Sequence, residues 1–199
     1  MEDVSKFLVG RTEEYANAAE RPTGTVSVPS GRLRIIDPFF EARYGCVLWV
    51  PPGQHRAFIT YIHIDDDLGW CPAYLSFRFT EAQPATVAFA DFLIAPPISM
   101  VTGAVSGSDN AMIAVYDADA KIDPKALVQA LFVDLDTLTR TPIGATNVIT
   151  DSGAHVVACR TGRDGAFPIL ATRTAEGDLT AIHIDFYWVD FDPPGDDIY

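Results

Sequence analysis

Two sets of residues in this 199-residue chain have the types and spacing to do chemistry. The first is Cys159-Arg160-Thr161-Gly162-Arg163-Asp164-Gly165, which follows the apolar run Val156-Val157-Ala158. A cysteine beside arginines acquires a lowered pKa and hence thiolate character, as in the active loop of a sulfurtransferase or phosphatase. A loop of that kind relies on a following helix N-terminus for free amides and a favourable dipole. Here Ala166-Phe167-Pro168-Ile169-Leu170 follows and reads as strand, and Gly165 stands where a phosphatase loop carries its arginine. The expectation is a small apolar Cys159 inside a strand, buried and unreactive.

The second set is His63/Asp65 and His183/Asp185. Residues two apart in a strand share a face, so each histidine points the same way as its aspartate. Were the two strands neighbours, two imidazoles and two carboxylates could surround zinc or manganese. Plain alternation accounts for the same residues, with isoleucine inward and the polar side chains in water. No metal is therefore expected.

Other signals fail on spacing. Asp65-Asp66-Asp67 reads as a solvated turn. Asp190, Asp192 and Gly195 match positions 1, 3 and 6 of a calcium loop, but position 5 is Pro194 and position 12 falls beyond Tyr199. The chain has neither a Gly-Lys-Ser/Thr phosphate loop nor a Gly-x-Ser-x-Gly elbow. No catalytic residue and no cofactor is assigned.

The elements that must position these residues are short. After an amphipathic helix expected over 2–19 (Val4, Phe7, Leu8, Tyr15 and Ala18 on one face), the pattern turns to brief apolar or alternating runs broken by Pro and Gly. These runs are 24–29, 32–37, 45–50, 55–65, 73–80, 85–94, 111–117, 145–150, 154–160, 166–173 and 179–190. One helix interrupts them over 123–138. Asp123 caps it, Pro124 takes its first position, and Leu127, Leu131, Phe132, Leu135 and Leu138 form its apolar stripe. The expected fold is mainly β: an antiparallel β-sandwich or distorted barrel in one domain over 1–199. A mobile loop or internal boundary is expected near 102–110, which reads Thr-Gly-Ala-Val-Ser-Gly-Ser-Asp-Asn.

A net charge of -13 sets the same sign on the protein as on nucleic acid and anionic membranes, and speaks against both as partners. It suits solubility or a basic protein partner. No apolar stretch approaches the roughly 18 residues of a membrane helix. No basic segment with a following apolar run marks a secretory signal, and three unpaired-looking cysteines do not make a disulfide framework. A cytoplasmic location is expected.

Ser30-Gly31-Arg32-Leu33 with Asp37-Pro38, then Pro52-Gly53, then Gly162, Asp164, Gly165, Phe167 and Pro168 with Asp185-Phe186 form an ordered signature over 24–190. In this signature the chain resembles the bacterial domain-of-unknown-function family 4241. It departs from the family's pattern at Arg163, where a second glycine is usual, and at His55, where an aromatic is usual. The resemblance implies no activity. Gly and Asp at such positions serve tight turns; should the fold gather them, Asp37, Arg163, Asp164, His183 and Asp185 are the candidate ligand-binding side chains. The sequence thus points to a non-catalytic binding protein with an acidic surface. The alternative is a metal-dependent enzyme or ligand binder using the His/Asp strands.

Overall fold

The computed structural model describes residues 18–40, 45–63, 70–94, 105–108, 111–133, 145–162 and 164–186. Among these residues, thirteen strands and one helix follow in chain order: β1 (Ala18–Val28), β2 (Arg32–Ile36), β3 (Cys46–Trp49), β4 (Gly53–His63), β5 (Trp70–Arg78), β6 (Thr86–Phe89), β7 (Phe92–Ile94), β8 (Val105–Ser108), β9 (Met112–Asp117), α1 (Pro124–Val133), β10 (Ala145–Ile149), β11 (His155–Arg160), β12 (Gly165–Arg173) and β13 (Leu179–Asp185). The strands form two antiparallel sheets, packed as a sandwich without closing into a barrel. Sheet one runs β1-β4-β5-β13-β12-β6, with β8 also pairing β12; sheet two runs β10-β11-β9-β2-β3-β7.

Alternation explains the core between them. In sheet one, Ile59, Leu75, Ile184 and Ile169 lie in one row across four strands. In sheet two, Val157, Val115, Ile35 and Cys46 form the facing row. All eight belong to one buried cluster, and apolar burial of this kind is the main driving force for folding. A second cluster lies on the other face of sheet two. There Leu127 and Leu131 of α1 cover Ile36, Ala114, Tyr116, Val156 and Ala158.

The capping signal on α1 is realised: the Asp123 side chain accepts the Lys125 amide at 3.0 Å and its carbonyl accepts the Leu127 amide at 2.9 Å. The helix expected to reach 138 is described to Val133, and 134–138 lie outside the described residues. Of the helix expected over 2–19, residues 2–17 also lie outside them. Ala18 and Ala19 already belong to β1, where they pair with Ile62 and Tyr61.

Two local expectations are corrected. The run 85–94 is not one strand, because it crosses between layers. β6 pairs β12 in sheet one, whereas β7 pairs β3 in sheet two. Within 102–110, expected as a mobile loop or an internal boundary, 105–108 form β8, which pairs Gly165–Pro168 of β12 and is not a loop. Backbone ladder bonds need no particular side chain, so a Ser/Gly-rich segment can still supply a strand.

β1 fastens the sandwich along one side. Asn147 of β10 donates its amide to the Thr25 carbonyl at 2.7 Å, and Gly24 lies directly beneath it. Gly24 has φ +135°, and a Cβ there would sit 2.3 Å from Asn147 Nδ2. Gly24→Ala is therefore expected to combine backbone strain with a clash and to destabilise the fold by about 1–3 kcal/mol. A urea midpoint unchanged from the parent would contradict this account of the contact.

Candidate functional site

The residues singled out by sequence do not gather into one site. Asp37 directly follows β2 of sheet two. It is buried, and its Oδ1 accepts the Phe39 amide at 2.9 Å while its carbonyl accepts the Phe40 amide at 3.0 Å. That is an aspartate-initiated turn of the kind Asp37-Pro38 predicts. Asp164 is exposed, and its Oδ1 accepts the Ala111 amide at 2.8 Å. The Ala111 carbonyl in turn accepts the Thr161 amide at 2.9 Å. The glycine loop is thereby pinned to the start of β9, and Ala111 takes the positive φ of +49°. Arg163 lies outside the described residues.

His183 and Asp185 share the far face of sheet one, as their spacing requires, but that face is not in water. Every residue of β13 from Thr180 to Asp185 is buried. The alternation is real and its expected polar, solvated side is not. Phe58, Ser76, His183 and Leu170 form one row across this face. Ser76 Oγ lies 2.9 Å from His183 Nδ1, and Thr172 Oγ1 lies 3.2 Å from Nε2. Thr180 donates to Thr172 at 2.7 Å.

A neutral imidazole, with one donor and one acceptor nitrogen, satisfies both contacts. Burial pushes the His183 pKa down to about 3, and the charge on Arg78 acts in the same direction. Arg78 Nη2 donates to both carboxylate oxygens of Glu20 at 2.7 and 2.5 Å, and the guanidinium lies 4.2 Å from the Phe58 ring centroid.

The paired-imidazole geometry is absent from these strands. β5 separates β4 from β13, and His63 pairs with Trp70 at the end of β5 remote from Ser76. Asp65 and the Asp66-Asp67 that follow it lie outside the described residues. Among the described residues, no group of three or more His, Cys, Asp or Glu side chains could hold a metal ion.

Cys159 points into the sandwich core, where its thiol donates to the Arg160 carbonyl at 3.1 Å. Burial drives its pKa upward, so neighbouring arginines in sequence do not make it a thiolate. Burial likewise pushes Cys46 up to about 12. The loop after Cys159 leads into β12 and not into a helix, which removes the dipole a thiolate cradle uses. His55 packs edge-on against Phe79 at 4.7 Å between ring centroids, with Nε2 2.7 Å from the Pro51 carbonyl.

A groove that no short motif announces lies at one end of the sandwich. The β9–α1 connection, the β10–β11 turn and the end of β1 meet there. Asp117 organises it. Its carboxylate accepts Ser30 N, Ser30 Oγ and Asp119 N at 2.8, 2.8 and 2.7 Å. Gly31 closes the β1–β2 turn at φ +69°, and Arg32 pairs with Asp119. The Ser30-Gly31-Arg32 signature is thus a structural clasp between two loops.

Across from it, the Thr150 and Ala154 backbones bond at 2.9 Å and Gly153 N donates to the Thr150 carbonyl at 2.8 Å, which fixes the hairpin turn. A cavity of about 480 Å³ lies between α1 and the β10–β11 turn, and one of about 340 Å³ lies between that turn, the β9–α1 connection and the end of β1; Lys121 and Ser152 line both. Sequence reading misses this groove because only the pairing of β11 with β9 brings 149–155 beside 117–123.

No protein-family model, curated protein or solved structure matches the chain. The resemblance stated above rests on its quoted residues alone.

Two outcomes follow from the buried groups. The folded pKa of His183 lies below its ordinary 6.5, so the unfolded chain takes up the proton first as pH falls. The stabilisation is complete above about pH 6.5 and is lost towards pH 3, at ~1.4 kcal/mol per pH unit at most. Denaturation curves across this range should show a shallower acid slope in His183→Gln, and an identical slope would contradict the assignment. For the thiol, a variant retaining only Cys159 should resist a bulky maleimide when native and react fully when unfolded. Rapid native labelling would restore the nucleophile reading.

Proposed function

We propose that this chain is a non-catalytic binding protein that engages a basic protein partner. The observation that supports this most is the fate of its reactive side chains. His183 and Cys159 are buried and hydrogen-bonded within the framework, and Asp37 and Asp164 hold turns. The His/Asp strands that would serve a metal enzyme are not neighbours, which leaves that alternative without its geometric premise.

The charge gives the partner's sign. Much of the excess acidity falls in runs such as Asp65-Asp66-Asp67 and the stretch from Asp190 to Asp197. A net charge of -13 steers a cation-rich protein and repels nucleic acid. Among the described residues, no helix is long and apolar enough to cross a membrane. A cytoplasmic location and membership of the bacterial family 4241 belong to the same proposal, the latter supported by the ordered Ser30–Phe186 signature.

The test is capture with the full tagged chain from its source cell, followed by kinetics with the purified partner. A basic partner whose association slows as salt rises is expected, since exposed charges are screened beyond about 8 Å at physiological ionic strength. Capture of acidic or neutral proteins alone, with association independent of salt, would overturn the reading.

A further inference from the structure

We propose that the first half of β1, residues 18–21, is a strap that lifts from β4 as a unit while the second half stays in place. Residues 22–24 are its hinge, and the Glu20–Arg78 ion pair is its latch. The device goes beyond the binding reading above and depends on no partner.

The hinge is a break in the ladder. Register shifts between Pro22, opposite Phe58, and Gly24, opposite Ala57, so Thr23 is an extra residue in β1. Pro22 has no amide proton to give to the ladder. Gly24 takes φ +135°, a conformation that glycine reaches without strain. Among the described residues, the buried Thr23 Oγ1 has no hydrogen-bond partner. Water would relieve that cost when the hinge opens.

The two halves are held differently. After the hinge, Val26 and Val28 are fully buried in the main core, and Asn147 binds the Thr25 carbonyl. Before it, no residue from Ala18 to Pro22 is fully buried, and Arg21 and Pro22 are exposed. A segment with few buried apolar contacts opens at lower free energy than the core it borders.

The latch compensates for this. Glu20 stands opposite Thr60, and Arg78 opposite Arg56, on the two strands that flank β4. Their ion pair therefore crosses β4, and the Arg78 guanidinium lies over Phe58, which is 4% exposed. The two side chains are only 11% and 14% exposed, so the pair is screened little by salt. Arg21 adds a cation–π contact 5.6 Å from the Tyr61 ring centroid. Once lifted, the strap bares the β4 edge from Phe58 to Ile62.

Native-state hydrogen exchange on the full chain, read residue by residue by NMR, tests the strap. In the parent, ladder amides within 18–21 are expected to exchange at least about tenfold faster than those within 25–28. Their rates should also depend more weakly on dilute urea, because a local opening exposes less surface. Glu20→Gln keeps the side chain's shape and removes its charge. It is expected to speed exchange within 18–21 about tenfold further and to leave 25–28 unchanged. Equal rates and equal urea slopes in the two halves of the parent would overturn the hinge, whatever the variant does. In a folded Glu20→Gln protein, unchanged rates within 18–21 would overturn the latch. Equal acceleration of both halves would show one cooperative strand and overturn the strap.

Discussion

The constraint on which the rest of the structure depends is that the central strands of sheet one are buried on both faces. One face packs against sheet two through apolar side chains such as Ile59, Leu75, Ile169 and Ile184. The other carries Ser76, His183, Thr172 and Thr180 at positions where no side chain meets water. A buried polar group without a partner costs on the order of 1–3 kcal/mol. The hydroxyls of Ser76 and Thr172 bracket the His183 ring, and Thr180 bonds Thr172, so the histidine is kept neutral and fixed. Charging it would place a cation beside Arg78 in a site with little water. A residue whose type suggests proton transfer or metal ligation thereby becomes part of the framework.

The same conversion occurs at the other motifs. Cys159 is apolar in effect because it faces the core, and Asp37 and Asp164 spend their lone pairs on backbone amides that turns leave open. Asp117 holds two loops at once. Near those loops, where they meet α1, lies the groove. The framework and the groove are therefore connected. The clasp of Asp117 on Ser30 sets one wall, and the bonded Thr150–Ala154 turn sets the other.

Much of this fold was legible in the sequence. Period-two runs bounded by Pro and Gly located most of the strands, because the turns between them use residues with their own local mechanism. Asp123-Pro124 marked α1 for the same reason. The failures have physical causes. β8 was read as a loop because its Ser and Gly carry no side-chain pattern, while its backbone bonds to β12 need none. The 85–94 run looked continuous because local sequence does not show a strand changing sheets at Ala90-Asp91.

Alternation on 181–185 was read correctly, but a polar face in water and a polar face bonded within a buried layer have the same sequence signature. The idea of adjacent His/Asp strands failed on strand order, since β5 intervenes. The groove was invisible for a related reason, being assembled from three segments that only the finished sheet brings together.

The most direct measurement of the central claim is the protonation state of His183 in the folded protein, followed by NMR of the imidazole nitrogens against pH. The account requires that the ring stay neutral from pH 8 down to about 4.5, with its two nitrogens retaining distinct donor and acceptor shifts. A ring that titrates near the ordinary value of 6.5 would place His183 in contact with water. It would contradict the conclusion that this side chain serves the framework and would return it to the list of groups available for chemistry.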